Sequence, residues 1–348
     1  MHRFRIRAGL AALVVVLVVT GCKWTGINVP AVRSTAKHAR DWLVTKQQPG
    51  GGFEIAGFAG FETPDAILAI AEDAQQQATW NQAQALAAVT AVKVGGRSPL
   101  DWADDFADGP INAGQAAKLL VLVAAPLGLP IKTFNPQNDA TKRNLISTVD
   151  AGAQPNGSYG AFNATLYAAL ARWIVTGSVP ANTLAYIRAG QQSSGGWNFA
   201  NDPTGSDADI DTTSLVIQVL VAARVAVDDT DLRQALAFLA HQQRPNGSFQ
   251  SFGADDPNST ALAVMAITAV GENAAFPCWR DRAVPALHGS AYSSPLAWLR
   301  GQAASDGHIA SHNDTEAPPV TTFATTQSIE ALRRGWLPVA YQPALLCT

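Results

Sequence analysis

The sequence predicts an all-α protein whose helical hairpins close into a ring, and three observations indicate this. First, a turn in which glutamine precedes glycine and then an aromatic residue recurs along the 348 residues, as at Gln243, Gly247 and Phe249. Second, amphipathic helices before these turns alternate with helices that are apolar on almost every face, and such helices must be surrounded by protein. Third, the hairpins recur at roughly 40 to 60 residues, a period typical of solenoids and closed rings. Closure is favoured because the second kind of helix is too apolar to line an open concave surface.

The turn motif occurs five times, and we interpret its glutamines and aromatic residues as scaffold. A glutamine amide can satisfy free carbonyl groups at one helix end and N–H groups at the start of another, while the ring packs beside it. Gln191, Gln192, Trp197, Gln243 and Phe249 are therefore not catalytic candidates. The copies are Gln48-x2-Gly51-x-Phe53, Gln154-x2-Gly157-x-Tyr159, Gln192-x2-Gly195-x-Trp197, Gln243-x3-Gly247-x-Phe249 and Gln302-x4-Gly307-x-Ile309.

The helices follow from the periodicity of apolar residues. Amphipathic outer helices are expected over 32–48, 142–154, 182–192, 229–243 and 295–302, and apolar inner helices over 63–71, 113–125, 164–175, 212–223, 259–270 and 322–333. The second unit lacks the turn, and we expect a helix over 80–94 followed by a loop through Trp102 and Asp105 to Asn112. Six hairpins result, and residues 31–348 are expected to form a single domain.

Composition bounds the class of protein. With 47% hydrophobic and 15% charged residues, the chain can bury a large core and disorder is not expected. The formal net charge is -3, and removal of residues 1–21 with Arg3, Arg5 and Arg7 would leave 21 basic against 27 acidic residues. This balance gives no electrostatic footprint for nucleic acid.

The first 22 residues are typical of an export signal. Arg3, Arg5 and Arg7 precede an apolar segment over 10–19 that is too short to span a bilayer comfortably. The segment ends in Val19-Thr20-Gly21-Cys22, which resembles the bacterial lipobox, whose cysteine receives a lipid and becomes the mature N-terminus. The alternative is an ordinary signal peptide with an incidental cysteine. We expect a lipid-anchored protein on the outer face of the cell membrane, with a short tether over 23–30.

Cysteine usage agrees with export. If Cys22 carries a lipid, Cys278 and Cys347 remain, and an oxidising compartment allows them to form a disulfide. The bond would close a loop of about 70 residues and contribute on the order of 4 kcal/mol in the chain-entropy model. The alternative is two free thiols.

The turn motif also carries a resemblance to a known group of proteins. Glutamine, a few residues, glycine, any residue and an aromatic, repeated after outer helices, resembles the repeat of squalene-hopene cyclases, oxidosqualene cyclases and protein prenyltransferase β subunits. The resemblance covers about residues 31–340. It implies an (α/α)6 toroid, in which six inner and six outer helices surround a central cavity at one end.

One acidic stretch resembles a catalytic motif of this group. Asp209-Ile210-Asp211-Thr212-Thr213 is similar to the Asp-x-Asp-Asp-Thr motif of class II terpene cyclases, whose protonated central aspartate donates a proton to an alkene or epoxide. Matched residue by residue, Asp211 falls on the proton donor and Asp209 on its neighbour, whereas Thr212 replaces the last aspartate. Burial and hydrogen bonds must keep such a carboxyl group neutral.

The internal repeats give Asp211 a competing interpretation. Alignment of the inner-helix starts places Asp211 with Asn112, Asn163 and Asn258. Asparagine and aspartate are good N-caps because their side-chain oxygens accept hydrogen bonds from the first turn of a helix. Asp211 is thus a structural cap, a functional acid, or both at the cavity mouth.

A ring of this type can also bind without catalysis. Cobalamin carriers and thioester domains of the complement family share it, although the Gly-Cys-Gly-Glu-Gln arrangement of the latter is absent here. A binding module would use aromatic and amide side chains at the ring mouth. The candidates, which otherwise pack in the core, are Phe58, Phe61, Phe162, Tyr167 and Phe199.

Two other kinds of site are less favoured. Six-hairpin rings carry glycoside hydrolases and polysaccharide lyases, which need two carboxylates about 5 to 10 Å apart across a sugar; the candidates are Glu62, Asp65, Asp209 and Asp211. Zinc enzymes on this ring hold their metal partly by cysteine, and no cysteine stands at an inner-helix start. His308, His312 and Asp314 lie in a polar loop, so we expect no metal and no cofactor.

The sequence therefore leads to two hypotheses. The first is an exported, lipid-anchored toroid that binds a small apolar ligand or a protein partner at the ring mouth. The alternative is a metal-independent enzyme like the class II terpene cyclases, with Asp211 as general acid and Asp209 as its supporting carboxylate.

Overall fold

The computed structural model describes residues 29–54, 59–76, 79–288, 291–311 and 318–338. Within these ranges the secondary structure is almost entirely helical, as predicted. The strands found there, Gln250–Ser251 and Ala254–Asp255, form one short antiparallel pair. None of the helices in the described part of the chain is both long enough and apolar enough to cross a membrane.

The helices lie close to the predicted positions. Two were not predicted: Pro99–Asp108, before the second inner helix, and Cys278–Ala283, after the fifth. The second inner helix, α5, passes through a π-helical turn at Leu120–Ala124 into α6. In chain order the helices are α1 (Val29–Val44), α2 (Thr63–Asp73), α3 (Gln82–Ala91), α4 (Pro99–Asp108), α5 (Ala113–Leu119), α6 (Ala125–Leu127), α7 (Leu145–Ala151), α8 (Phe162–Thr176), α9 (Ala181–Ala189), α10 (Ile210–Ala222), α11 (Thr230–Gln242), α12 (Pro257–Ala269), α13 (Cys278–Ala283), α14 (Pro295–Gly301) and α15 (Pro318–Leu332).

The inner helices form a closed ring. Helix α2 packs on the π-helical turn that follows α5, α5 packs on α8, and the contacts continue through α10 and α12 to α15. Helix α15 then packs on α2 and on α1, which returns the chain to its first hairpin. The apolar composition of these helices is explained by this position, because each has protein on both sides. The predicted (α/α)6 toroid is confirmed.

The second unit corrects the sequence prediction. Residues 99–108 are not a loop but helix α4, which takes the outer position before α5, while α3 is an additional helix. Helix α4 forms because Ser98 accepts a hydrogen bond from the N–H of Asp101, and the Asp101 side chain accepts one from the N–H of Ser98. Pro99 stands at the first helical position, where its missing N–H costs nothing.

In three of the turns a glutamine joins its hairpin to the next outer helix, whereas among the described residues Gln154 and Gln302 bond only the nearby carbonyl groups of Gly152 and Trp298. Gln191 Nε2 donates to the carbonyl groups of Gly195 at 2.8 Å and Asp231 at 2.9 Å, so the amide links its own turn to the first turn of α11. Gln243 makes the same pair of bonds to Gly247 and to Ser293, just before α14. In the first unit Gln47 rather than Gln48 occupies this position, and it bonds Gly51 and Arg97 just before α4.

A threonine fixes the register of five inner helices on their turns; it lies in the first turn of α2, α8, α10 and α12 and is the eighth residue of α15. The backbone N–H of the residue in the aromatic position donates to the threonine hydroxyl in each of five units, at 2.8 to 2.9 Å. The pairs are Phe53 with Thr63, Tyr159 with Thr165, Trp197 with Thr213, Phe249 with Thr260 and Ile309 with Thr325. Positions counted from these threonines are therefore equivalent around the ring.

Candidate functional site

A cavity of about 150 Å³ lies inside the ring, and every inner helix contributes to its wall. Ten of its described lining residues are aromatic or aliphatic, and nine are polar or charged. The lining residues are Phe61, Asp65, Lys118, Phe162, Asn163, Leu166, Tyr167, Phe199, Asp211, Thr212, Leu215, Gln218, Asn258, Leu262, Met265, Phe323, Gln327, Glu330 and Leu337.

The repeat explains which side chains reach the cavity. In all five units that have the register-fixing threonine, the residue two positions before it and the residue two positions after it line the cavity. The first set is Phe61, Asn163, Asp211, Asn258 and Phe323, and the second is Asp65, Tyr167, Leu215, Leu262 and Gln327. Asp211 therefore faces the cavity because of its place in the hairpin.

Asp209, and not Asp211, caps helix α10. The side chain of Asp209 accepts a hydrogen bond of 2.7 Å from the N–H of Thr212, whereas Asp211 is the second residue of the helix. The alignment of Asp211 with the cap residue Asn112 was wrong by two positions, since Asn112 corresponds to Asp209. Its alignment with Asn163 and Asn258 agrees with the structure, and both of those residues also line the cavity.

Asp211 is half-buried, and its carboxyl has a raised pKa. Burial raises its pKa to about 7, and the negative charges of Asp209 and Asp256 act in the same direction, while the hydroxyl of Ser259 opposes them. Its Oδ1 atom is shielded from solvent and has no hydrogen-bond partner among the described residues. A large fraction of Asp211 is thus protonated at pH 7 and can donate a hydrogen bond or a proton into the cavity.

The burial of Asp209 also raises the pKa of its carboxyl, although hydrogen bonds from the N–H and hydroxyl of Thr212 lower it. Because these bonds hold its carboxylate on the first turn of α10, Asp209 is absent from the cavity wall. The structure separates the two aspartates into a cap and a cavity-facing acid.

Lys118 is buried against aromatic rings on the wall formed by α2, α5 and α8. Its ammonium group lies 2.6 Å from Asp65 Oδ2 and donates a 2.5 Å hydrogen bond to the carbonyl oxygen of Phe61. It also stands 4.5 Å from the centre of the Phe61 ring and 5.7 Å from that of Tyr167. Burial raises the pKa of Asp65 against the opposing effect of Lys118.

Glu330 lines the same cavity. Its side chain is only 2% exposed, and its Oε1 atom has no hydrogen-bond partner in the described part of the chain. Burial raises its pKa well above the ordinary value, and the nearby carboxyl groups of Glu72 and Asp65 add to the rise. Gln327, 6% exposed and one turn earlier on α15, also presents an oxygen without a partner there.

The predicted ligand-binding residues mostly converge on this site. Phe61, Phe162, Tyr167 and Phe199 all line the cavity, and the exposed fraction of Phe199 is 66%, which places it on the solvent side. Phe58 lies outside the described residues. Sequence reasoning missed Phe323, whose ring centre is 4.7 Å from that of Phe61.

Lys118, Gln327 and Glu330 were also missed. Lys118 stands directly before the apolar segment 119–127, which is the signal that would have indicated it, whereas Gln327 and Glu330 stand among threonine and serine residues of α15 and carry no such signal.

Of the four carboxyl groups considered for a glycan-active site, only two line the cavity. Asp65 and Asp211 line the cavity, but Glu62 and Asp209 are not in its wall. Glu62 is fully buried at the start of α2.

The residues considered for metal binding and disulfide formation are covered only in part. Within the described ranges, no three histidine, cysteine or acidic side chains cluster as metal ligands. His308 contacts Asp306 at 2.5 Å, while His312 and Asp314 lie outside those ranges. Cys278 is buried in α13, and its pairing with Cys347 stays a prediction because Cys347, like Cys22, is outside the described residues.

Comparison with known proteins supports the ring as the common feature. The type II terpene cyclase MstE from Scytonema is 14% identical, with a TM-score of 0.61, and the match covers 88% of this chain and 100% of that one. A protein from Actinoplanes is 14% identical, with a TM-score of 0.56 over 87% of this chain and 99% of its own. A glycosidase solved in complex with glucose is 14% identical, with a TM-score of 0.51 over 89% of this chain and 100% of its own. At these identities the similarity shows the fold alone.

No curated protein sequence matches the chain. The family model described as the prenyltransferase alpha-alpha toroid domain matches residues 131–339, which is more than half of the sequence. The matched part contains α8, α10, α12 and α15. Two cavity residues, Asp211 of α10 and Glu330 of α15, therefore lie within it. The chain belongs to the prenyltransferase α/α toroid domain family.

Proposed function

We propose that this protein is a binding module that takes a small, mainly apolar molecule into the cavity of the ring. The observation that carries the proposal is the convergence of every inner helix on one cavity, in whose wall ten of the described residues are aromatic or aliphatic. Concave apolar sites with a few convergent polar groups are typical of small-molecule binding. The polar groups here, Asp211 among them, supply orientation.

The size of the cavity limits the ligand. Its volume of about 150 Å³ is below the range of about 300 to 1,000 Å³ that drug-sized ligands occupy. A dry cavity of about 150 Å³ in another protein binds benzene. A benzene-sized molecule, or one end of a longer chain that passes the exposed Phe199, therefore fits this site.

Toluene is a suitable probe for the proposal. We expect it to bind the purified chain at millimolar concentration or below and to shift the amide resonances of cavity-lining residues in an NMR titration. Leu262→Phe should weaken binding at least tenfold because the larger side chain fills the cavity. Leu236→Phe is the matched control, since Leu236 is also half-buried but lies on a different surface of the ring.

The binding proposal fails if toluene leaves the cavity resonances unmoved, or if both variants bind it as the parent chain does. Specific capture of a folded protein at the ring mouth, with no small-molecule binding, would favour the protein-partner form of the module instead.

Acid catalysis by Asp211 is the second candidate function. A group that protonates an alkene must be neutral, face the substrate and lie in a site that holds apolar carbon. Asp211 faces the aromatic cavity, and burial raises its pKa to about 7. A structure of MstE holds geranylgeranyl dihydroxybenzoate as substrate, which shows the kind of molecule that a cyclase with this fold accepts.

In the proposed reaction, the Asp211 carboxyl gives its proton to one alkene carbon and becomes a carboxylate. The resulting cation adds to a second alkene and then loses a proton, so the product is an isomer of the substrate. Solvent returns the proton to Asp211.

Deuterium labelling tests this second function. Linear prenyl alcohols of ten to twenty carbons, which carry at least two alkenes, would be incubated with the protein in D2O, and cyclic products would be analysed by mass spectrometry. We expect one solvent deuterium in the product and at least a hundredfold loss of product with Asp211→Asn. Asp209→Asn, which keeps a good helix cap, is the control that should retain activity. Equal turnover by both variants would rule out Asp211 as the acid.

We further propose that the ring is displayed outside the cell on a lipid attached to Cys22. The basic start, the apolar segment over 10–19 and the Val19-Thr20-Gly21-Cys22 sequence support this. Cys22→Ala should prevent labelling by a fatty-acid analogue and release the protein from the membrane fraction. Unchanged labelling would contradict the anchor.

A further inference from the structure

We infer that the natural ligand of the cavity is a small organic ammonium ion with a short apolar body. This inference rests on the proposed binding function and names the chemical class that the site selects. Three features of the wall lead to it: its balance of charged groups, the kind of atom left without a partner, and the way the protein already holds one ammonium group there.

The charged groups of the wall favour a cation. Among the described residues, the carboxyl groups of Asp65, Asp211 and Glu330 line the cavity together with one basic side chain, Lys118. The ammonium group of Lys118 already contacts two oxygens of the protein, one from Asp65 and the carbonyl oxygen of Phe61. An anionic ligand would meet three carboxyl groups and one ammonium group and would make ionisation of the carboxyls still less favourable, whereas a cation would offset the cost of burying a carboxylate.

The unpartnered atoms of the wall point to a hydrogen-bond donor. Asp211 Oδ1, Asn258 Oδ1, Gln327 Oε1 and Glu330 Oε1 are shielded from solvent and lack partners among the described residues. All four are oxygens. Gln327 and Glu330 are more than nine-tenths buried. A buried acceptor without a donor is costly, and an ammonium group brings three donors, so it matches this set better than a hydrocarbon does.

Lys118 shows what environment the ring provides for an ammonium group. Its Nζ atom has a carboxylate oxygen at 2.6 Å, a carbonyl oxygen at 2.5 Å and the face of the Phe61 ring at 4.5 Å. Cation–π attraction adds to ion pairing in such a setting.

The wall from α10, α12 and α15 offers the same three kinds of group. The carboxyls are those of Asp211 and Glu330, the carbonyls those of Asn258 and Gln327, and the ring is that of Phe323. Within the described residues, this wall contributes no lysine or arginine to the cavity. A ligand ammonium would therefore take the place that Lys118 takes on the other side.

Binding of a cation should depend on pH, because a protonated carboxyl pairs poorly with it. The titratable groups that face the site come from every side of the ring. They are Asp65 of α2, Lys118 of α5, Tyr167 of α8, Asp211 of α10 and Glu330 of α15, with Asp209 and Asp256 near Asp211 and Glu72 near Glu330. Release of one proton on binding makes affinity rise up to tenfold per pH unit below the pKa of the group that loses it.

The experiment compares a matched pair of probes, n-butylammonium and 1-butanol, by calorimetry with the purified full chain. At pH 8 we expect n-butylammonium to bind at least tenfold more tightly than 1-butanol. Between pH 8 and pH 5.5 its affinity should fall at least tenfold, while that of 1-butanol stays constant. Toluene is measured in parallel as the apolar reference.

Two variants test which carboxyls matter. Glu330→Gln and Asp211→Asn should each reduce the preference for n-butylammonium over 1-butanol at least fivefold and leave toluene binding within twofold. Asp150→Asn, the same kind of substitution at an exposed position of α7, is the control and should change nothing. Two independent variants keep the test open if one of them fails to fold.

The possible failures are distinct. Equal affinities for n-butylammonium and 1-butanol at pH 8, with toluene bound, would overturn the ammonium inference and leave the apolar binding function standing. Loss of preference in the Asp150→Asn control, as large as in the cavity variants, would also overturn it. No binding of any of the three probes would refute the binding function itself.

Discussion

Gly307 packs directly on the main chain of His38, so the turn of the sixth unit packs on helix α1. A Cβ atom placed on Gly307 would come 2.4 Å from the His38 carbonyl oxygen and 2.8 Å from its carbonyl carbon. The same close approach joins consecutive hairpins, between Gly195 and Gln234 and between Gly247 and Ser294 for example. One kind of contact therefore both links neighbouring units and closes the ring.

Gly307→Ala should destabilise the protein by about 2 to 5 kcal/mol. The backbone φ of Gly307 is +103°, which costs an alanine roughly 1 to 3 kcal/mol, and the new methyl group must push the first helix away. The free energy of unfolding measured in urea tests this.

Gly160→Ala separates the two contributions. Gly160 has a similar φ of +95°, but a Cβ there meets no atom within 4 Å. We expect it to cost at least 1 kcal/mol less than Gly307→Ala. Equal losses would mean that the contact with His38 contributes nothing to closure.

The threonine that fixes five of the inner helices gives a second prediction. The Thr213 hydroxyl accepts a 2.9 Å hydrogen bond from the N–H of Trp197, and both residues are fully buried. Thr213→Val keeps the shape but leaves this N–H without a partner, which should cost about 1 to 3 kcal/mol. Thr213→Ser, which keeps the hydroxyl, should cost less than Thr213→Val. Thermal unfolding followed by circular dichroism distinguishes them, and the reverse order would contradict the assigned role of the bond.

The ring could be predicted because its signal is repeated. The turn has a physical reason for each residue type: glutamine spans two carbonyl groups, and glycine accepts both a positive φ and a carbonyl pressed against it, as at Gly195. Five copies of such a turn, combined with alternating helix types, left few other architectures. The threonine went unnoticed because its distance from the turn varies from 6 residues at Tyr159 to 16 at Trp197.

The errors came where a single residue decides the local structure. Helix α4 was missed although Ser98, Pro99 and Asp101 form a complete helix start, because no glutamine turn drew attention to it. Asp211 was aligned with a cap because Asp209 and Asp211 are both suitable residue types, and only the backbone shows which one begins the helix.

The charged side of the cavity could not be assembled from the sequence. Asp65, Lys118 and Glu330 come from three helices that lie far apart in the chain and meet only because the ring closes. Each one, taken alone, reads as an isolated polar residue in a core helix.

The separation of roles between the two aspartates is testable by stability alone. Asp209→Ala removes the hydrogen bond to the N–H of Thr212 and should cost about 0.5 to 2 kcal/mol. Asp211→Asn removes no cap and should leave stability at pH 5.5 within about 0.5 kcal/mol of the parent chain. Urea unfolding of both variants decides it, and a larger loss for Asp211→Asn would return the capping role to Asp211.

Stability should fall as the pH rises from 5.5 to 8.5, because the ring buries carboxyl groups that prefer to stay protonated. Burial raises the pKa of Asp211 to about 7 and that of Glu72 to about 8, while Arg333 opposes the rise at Glu72. Both folded-state values lie above those of the unfolded chain. The folded protein therefore binds more protons than the unfolded chain between about pH 4 and pH 8, and it loses stability as these protons leave.

The expected slope is on the order of 1 kcal/mol per pH unit near neutral pH, measured as the free energy of unfolding in urea at several pH values. Asp211→Asn combined with Glu72→Gln should flatten this slope, because neither side chain can then ionise. Asp150→Asn, which alters an exposed carboxylate paired with Arg172, should leave the slope unchanged. A stability that rises across this range would mean that the cavity carboxyls are ionised in the folded ring and are compensated by partners other than protons.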